Sequence, residues 1–98
     1  MWVKIHKSYR TTVAICDEEL LGKKFEEGIK QLDVRESYFK DQQMQKPELI
    51  KLIIREAKED ATFNIVGKES LKAALKAGLI EKNSWKKVQG IPFVLVLV

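Results

Sequence analysis

The chain has 98 residues, a formal net charge of +4 and one cysteine, Cys16. This length fits one domain, and a lone cysteine excludes both an internal disulfide and a zinc site built from several cysteines. The N-terminus lacks a secretory pattern and the longest apolar run is shorter than the roughly 20 residues of a membrane-spanning helix, so we predict one cytoplasmic domain over residues 1–98 without membrane contact.

The first half of the chain begins with a predicted β-hairpin. Residues 2–7 and 11–16 alternate apolar and polar side chains around a short polar turn. The alternation places four side chains on the core face, Val3, Ile5, Val13 and Ile15, and six on the other, Trp2, Lys4, His6, Thr12, Ala14 and Cys16. A short helical turn capped by Asp17 is predicted next, followed by a third strand over residues 30–36 and a polar loop over 38–46.

The second half is predicted to hold the two main helices. Pro47 suits the start of a helix, and its apolar stripe comprises Leu49, Ile50, Ile53, Ile54, Ala57 and Ala61. Residues 63–67 separate it from a second helix near residues 68–77, which turns Leu71, Ala74 and Leu75 inward and ends at Gly78. A fourth strand over 85–89 and a central strand over 93–98 follow. The class is therefore α+β, a single two-layer domain with a mainly antiparallel or mixed sheet of about four to five strands.

The positive charge is concentrated in the last third of the chain. Residues 1–67 carry twelve basic and twelve acidic side chains, whereas residues 68–98 carry six lysines against two glutamates. Lys68, Lys72 and Lys76 follow one another at four-residue spacing and so form a stripe along the second helix.

This basic region predicts a nucleic-acid surface. The turn that ends at Gly67 precedes a helix whose first backbone N–H groups are expected to hold a phosphate, and Trp85 is followed by two lysines. The predicted site comprises Asn64, Gly67, Lys68, Lys72, Lys76, Trp85, Lys86 and Lys87. The alternative is an ordinary solvated helix face, with Trp85 in the core or at a strand edge, Gly67 required by a turn and Asn64 capping the next helix.

Metal and nucleophilic chemistry find little support. His6 and Cys16 share a face of the hairpin but are too few to hold zinc. The acidic residues that follow Cys16 raise the pKa of its thiol and so oppose a reactive thiolate. We expect neither a metal nor a cofactor, and we interpret Glu18, Glu19, Glu26 and Glu27 as a solvated acidic patch.

Five stretches in order resemble a known family. They are residues 16–23 (CDEELLGK), 25–28 (FEEG), 32–39 (LDVRESYF), 64–67 (NIVG) and 90–92 (GIP). Together they resemble the archaeal domain-of-unknown-function 424 family. The resemblance implies a cytoplasmic archaeal protein with a two-layer α/β fold and brings no established activity. Family members often have His after the Gly-x-Pro element, where this chain has Phe93.

We therefore predict a non-enzymatic RNA-binding or ribosome-associated module, monomeric or homodimeric. The alternative is a protein-interaction module, whose acidic residues meet a basic partner or whose C-terminal strand pairs with a second copy. A third interpretation is an enzyme, for which His6, Cys16 and Asp17 form the one conceivable cluster.

Overall fold

A six-stranded mixed sheet forms the centre of the computed structural model, which describes residues 1–97. Its strands are β1 (Trp2–His6), β2 (Thr12–Cys16), β5 (Gln42–Gln43), β6 (Thr62–Val66), β7 (Lys86–Val88) and β8 (Ile91–Val96). A separate two-stranded hairpin consists of β3 (Lys24–Glu27) and β4 (Lys30–Asp33). The helices are α1 (Glu36–Phe39), α2 (Lys46–Lys58) and α3 (Lys68–Lys76), with a 3₁₀ helix at Glu18–Leu20.

The sheet joins two antiparallel groups of three strands through one parallel contact. Its strand order is β5-β1-β2-β6-β8-β7, and β2 and β6 are parallel, whereas all other neighbours are antiparallel. Parallel neighbours require a long crossover, which here contains β3, β4, α1, β5 and α2. The crossover therefore supplies the chain that covers the sheet.

One side of the sheet, the helix face, carries the main core. Val3 pairs with Ile15 and Ile5 with Val13, as the alternation predicts. Phe63 and Ile65 of β6 continue the same rows and are fully buried. Both α2 and α3 pack here, so the two predicted main helices are confirmed.

The apolar stripe of α2 differs slightly from the prediction. Leu49, Leu52 and Ile53 are its buried residues, whereas Ile54 is 40 % exposed. In α3, Leu71 and Ala74 are buried, and Gly78 follows the helix with a φ of +78°. The inward residues of α3 are thus close to those that the 3.6-residue period predicts.

The other side of the sheet, the hairpin face, is covered by short segments and holds a second core. Leu20, Leu32, Val34 and Phe39 pack there against side chains from the sheet. The α1 segment is fixed by Lys4 Nζ, which donates a hydrogen bond to the Ser37 carbonyl oxygen at 2.8 Å. The third predicted strand is therefore β4, but it pairs with β3 outside the main sheet.

The structure confirms the α+β class with a mixed sheet, and adds strands to it. The sheet has six strands because β6, predicted only as a break between helices, lies at its centre. The predicted loop over residues 38–46 contains the end of α1, all of β5 and the start of α2. Of the predicted strand 93–98, the last residue, Val98, lies outside the described residues. Within residues 1–97 no helix is long and apolar enough to cross a membrane.

Candidate functional site

A groove of about 600 Å³ lies between α3 and the β7–β8 hairpin. Its lining residues are Asp17, Glu19, Leu20, Gly67, Lys68, Leu71, Lys72, Leu75, Trp85, Lys87, Gly90, Ile91 and Pro92. It unites the start of the crossover, α3 and the C-terminal hairpin, which are distant in sequence.

The first wall is one face of α3. Lys68, Leu71, Lys72 and Leu75 line the groove, and their spacing of three and four residues aligns them along the helix. Leu71 is buried and both lysines are exposed. The wall thus has an apolar base and a cationic rim, and the helical rise makes it about 10 Å long.

The second wall is the β7–β8 hairpin. Gln89 and Gly90 connect the strands with φ values of 50° and 77°, which suits a tight two-residue turn. Lys87 pairs with Pro92, and both line the groove. Lys86 instead pairs with Phe93, which packs in the core of the hairpin face. Because successive side chains of a strand point to opposite sides, Lys87 belongs to the groove and Lys86 does not.

Asp17 closes the groove at the start of α3. Its carboxylate is 2 % exposed and accepts hydrogen bonds from the Glu69 N–H at 3.1 Å, the Ser70 N–H at 2.8 Å and the Ser70 hydroxyl at 2.7 Å. A carboxylate at a helix N-terminus satisfies free amides and favours the helix dipole. Asp17 therefore caps α3, whereas its side chain makes no capping bond to its own 3₁₀ helix.

Gly67 has no side chain, and the Asp17 carboxylate occupies the space that a Cβ atom at this position would fill. Its φ is +106°, and a Cβ atom there would lie 2.3 Å from Asp17 Cγ. Its own N–H donates to the Pro92 carbonyl oxygen at 2.8 Å. Asp17 and Pro92 thus already accept from three of the amides near the start of α3, those of Gly67, Glu69 and Ser70, which leaves fewer of them for the predicted phosphate.

The structure divides the predicted nucleic-acid residues into two groups. Gly67, Lys68, Lys72, Trp85 and Lys87 line the groove. Three others lie outside it, namely Asn64, Lys76 and Lys86.

Asn64 is not the predicted helix cap. It lies in the middle of β6, paired with Ala14 on one side and Leu95 on the other. The Ala14 side chain belongs to the core of the hairpin face, so this row of residues faces away from α3. An extended strand thus separates Asn64 from the start of α3.

Charge in the groove is not uniformly positive. Glu69 accepts hydrogen bonds from Lys46 at 3.1 Å and from Lys72 at 3.2 Å. Both bonds lower the pKa of Glu69 below its usual value, and the bond from Lys46 has the larger effect. Part of the Lys72 charge is therefore offset, whereas Lys68 and Lys87 form no ion pair within residues 1–97.

Sequence reasoning missed Glu19 and the apolar lining of Leu71, Leu75 and Ile91. The remaining acidic side chains of the predicted patch are dispersed. Glu18 accepts from Gln43 Nε2 at 2.8 Å, and Glu27 accepts from the Gln89 N–H at 2.7 Å. The predicted patch is thus not one surface.

His6 and Cys16 do not form a site. They lie at opposite ends of the β1–β2 ladder, where His6 pairs with Thr12 and Cys16 with Trp2. Burial, with a smaller contribution from the charge of Asp17, raises the pKa of the Cys16 thiol to about 12. The His6 ring stacks on Tyr38 with 4.5 Å between centroids. Among residues 1–97, no three His, Cys, Asp or Glu side chains are arranged to hold a metal ion.

Comparison with known proteins yields a family and a fold. The family described as "Protein of unknown function (DUF424)" matches residues 6–98. A crystal structure of an uncharacterized conserved protein from Methanopyrus kandleri is similar, with a TM-score of 0.88 and 23 % identity over 97 % of this chain and 88 % of that one. At that identity the likeness shows the fold alone. A search of curated proteins gave no match.

Proposed function

The chain belongs to the DUF424 family of proteins of unknown function, and from that premise we propose that it is a non-enzymatic RNA-binding module. The observation that carries the proposal is the groove between α3 and the β7–β8 hairpin. It combines three lysines on its rim, Lys68, Lys72 and Lys87, with an apolar base and the half-buried ring of Trp85.

These two properties match the two parts of a nucleotide. Phosphate groups are attracted to lysine side chains, and this attraction gives most nucleic-acid binding its salt dependence. Bases that are not paired bind by stacking on aromatic rings and by contact with apolar surface. The groove is concave and about 600 Å³ in volume, which suits an unpaired base better than the broad surface of a duplex. We therefore propose single-stranded RNA as the ligand.

The salt dependence of binding tests this proposal. Three phosphate contacts to a single strand predict a slope of about −2 in a plot of log affinity against log salt. Fluorescence anisotropy of a labelled single-stranded RNA of mixed sequence, measured across a salt series, gives this slope. A duplex of the same sequence is expected to bind more weakly.

A matched pair of variants separates the groove from general positive charge. Replacing Lys68, Lys72 and Lys87 with Gln is expected to weaken RNA binding more than about tenfold at low salt. Replacing Lys76, Lys82 and Lys86 with Gln removes the same charge from exposed lysines outside the groove. Equal losses in the two variants would refute the groove as the binding site. Cosedimentation with ribosomal subunits tests the narrower proposal of a ribosome-associated module.

A homodimerising interaction module is a second candidate, favoured by the open edge of β8. Because β7 pairs only with Ile91–Phe93, the next residues of β8 have a ladder partner on the β6 side alone. Leu95 and Leu97 are 56 % and 71 % exposed. An uncharged open edge favours pairing with another strand. Light scattering over a concentration series tests this candidate, and a monomer at every concentration would exclude it.

A further inference from the structure

The groove contains one acidic side chain that the structure leaves without a partner. Glu19 lines the groove as an exposed side chain, and within residues 1–97 its carboxylate accepts no hydrogen bond and forms no ion pair, even with the lysines of the rim. Its neighbours differ, since Asp17 is occupied by the α3 amides and Glu18 by Gln43. Glu19 is therefore the carboxylate that remains available to a ligand.

Its position gives the groove two chemically different ends. Glu19 follows Asp17 by two residues, and the Asp17 carboxylate is fixed at the first turn of α3. Leu75 lies in the last turn of α3, and Trp85 precedes β7 on the side away from the β7–β8 turn. A ligand that fills the groove thus meets an aromatic ring towards one end and a hydrogen-bond acceptor towards the other.

A carboxylate selects for donors because it only accepts hydrogen bonds. Guanine presents two adjacent donors, N1–H and the N2 amino group, which match the two oxygens of one carboxylate. Adenine and cytosine each present one amino group beside a ring nitrogen that accepts. Uracil presents one N–H between two carbonyl oxygens, which a carboxylate repels. Of the four bases, guanine is the best complement to Glu19.

We propose that the groove selects an unpaired guanine, with Glu19 as the residue that determines this specificity. The inference rests on the proposed function, since the lysines of the rim must hold the phosphates for a base to enter. In this arrangement Trp85 and the apolar base of the groove contact the purine ring, and Glu19 accepts from its Watson–Crick edge. The repulsion between Glu19 and phosphate also keeps the backbone on the lysine side.

Four labelled heptamers test the inference. Each is a uridine heptamer whose central base is guanine, adenine, cytosine or uracil, so that a single guanine cannot form intramolecular structure. The wild-type protein is expected to bind the guanine heptamer about tenfold more tightly than the uracil one, as for a bidentate base contact. Fluorescence anisotropy at fixed low salt gives the four affinities.

Two neighbouring glutamates provide the variant and its control. Glu19→Gln is expected to abolish the preference for guanine and to strengthen binding of the uracil heptamer, because a repulsive charge is lost. Glu18→Gln removes the same charge one residue away, from a side chain that bonds to Gln43, and is expected to retain the preference.

The outcomes separate the inference from the proposed function. Equal affinity of the wild type for all four heptamers overturns the guanine inference and leaves RNA binding intact. A preference that survives Glu19→Gln overturns the role of Glu19. Failure of every heptamer to bind at low salt overturns both proposals.

Discussion

The two faces of the central sheet are covered in different ways. The helix face is covered by α2 and α3, which bury fully inaccessible residues such as Leu49, Phe63 and Ile65. The hairpin face is covered by a 3₁₀ helix, the β3–β4 hairpin and the four-residue α1. These segments also form hydrogen bonds with the sheet and its turns, as when Glu27 accepts from the Gln89 N–H and Lys4 donates to the Ser37 carbonyl oxygen.

One wall of the candidate site belongs to the better-covered face. The groove lies where α3 extends along the short β7–β8 hairpin, so one of its walls is a regular helix fixed at its start by Asp17. Rigid elements hold binding groups in place more reliably than loops do. The α3 wall thus belongs to the face that two helices cover, whereas Glu19 and Leu20 reach the groove from a short segment that covers the hairpin face.

The largest effect is expected where α3 is anchored. Gly67→Ala places a Cβ atom 2.3 Å from Asp17 Cγ, at a φ of +106°. The clash and the unfavourable backbone together are expected to lower the free energy of unfolding by about 3 to 4 kcal/mol. Urea denaturation followed by circular dichroism measures this loss.

A second glycine and a double variant provide the controls. Gly78→Ala tests positive φ alone, since no atom lies within 4 Å of its added Cβ, and is expected to cost about 1 kcal/mol. Asp17→Ala removes three hydrogen bonds but also the clash, so the double variant is expected to lose less stability than the two single losses combined. A Gly67→Ala loss no larger than that of Gly78→Ala would contradict the close approach.

A matched pair of leucines compares the two cores directly. Leu49 is fully buried on the helix face, and Leu32 is 8 % exposed on the hairpin face. Leu49→Ala is expected to cost about 3 kcal/mol and Leu32→Ala about 2 kcal/mol, because a site under short segments collapses more easily around a cavity. Equal losses by urea denaturation would mean that both faces are packed alike.

Local patterns predicted much of the helix face. The two-residue alternation correctly predicted which side chains of β1 and β2 face the core, and the apolar spacing predicted the helices α2 and α3. The strand β6 was missed because Thr62–Val66 is short, is buried on both faces except at Asn64, and pairs in parallel with a strand distant in sequence. Such pairing leaves no local signal.

The candidate site was predictable only in part. Four-residue spacing predicted that Lys68 and Lys72 lie together, but it also included Lys76, which lies outside the groove. The predicted site grouped Lys86 with Trp85 and Lys87, although successive side chains of a strand point to opposite sides. The cap between Asp17 and Ser70 joins residues 53 positions apart, so no local pattern indicates that Asp17 accepts from amides of α3.

The smallest effect is expected at the Cys16 thiol, which reports on the hairpin face. Cys16 is fully buried there, and its raised pKa of about 12 keeps the thiol protonated at pH 8. Because the folded pKa exceeds the unfolded value of 9.0, the protonated thiol stabilises the fold below pH 9, and this contribution is lost as pH rises towards 12. Cys16→Ser is therefore expected to reduce the alkaline loss of stability.

The rate at which Cys16 reacts with a thiol reagent tests whether the hairpin face opens more readily than the helix face. If the short segments open without global unfolding, the reaction of Cys16 at pH 8 is faster than the rate expected from global unfolding. Its rate then changes little when urea is added at low concentrations. The matched control is Ala73→Cys in a Cys16→Ser background, since Ala73 is fully buried on the helix face. Its thiol is expected to react only through global unfolding, with a rate that rises steeply with urea. Equal rates and equal urea dependence would show that the hairpin face opens only when the whole domain unfolds.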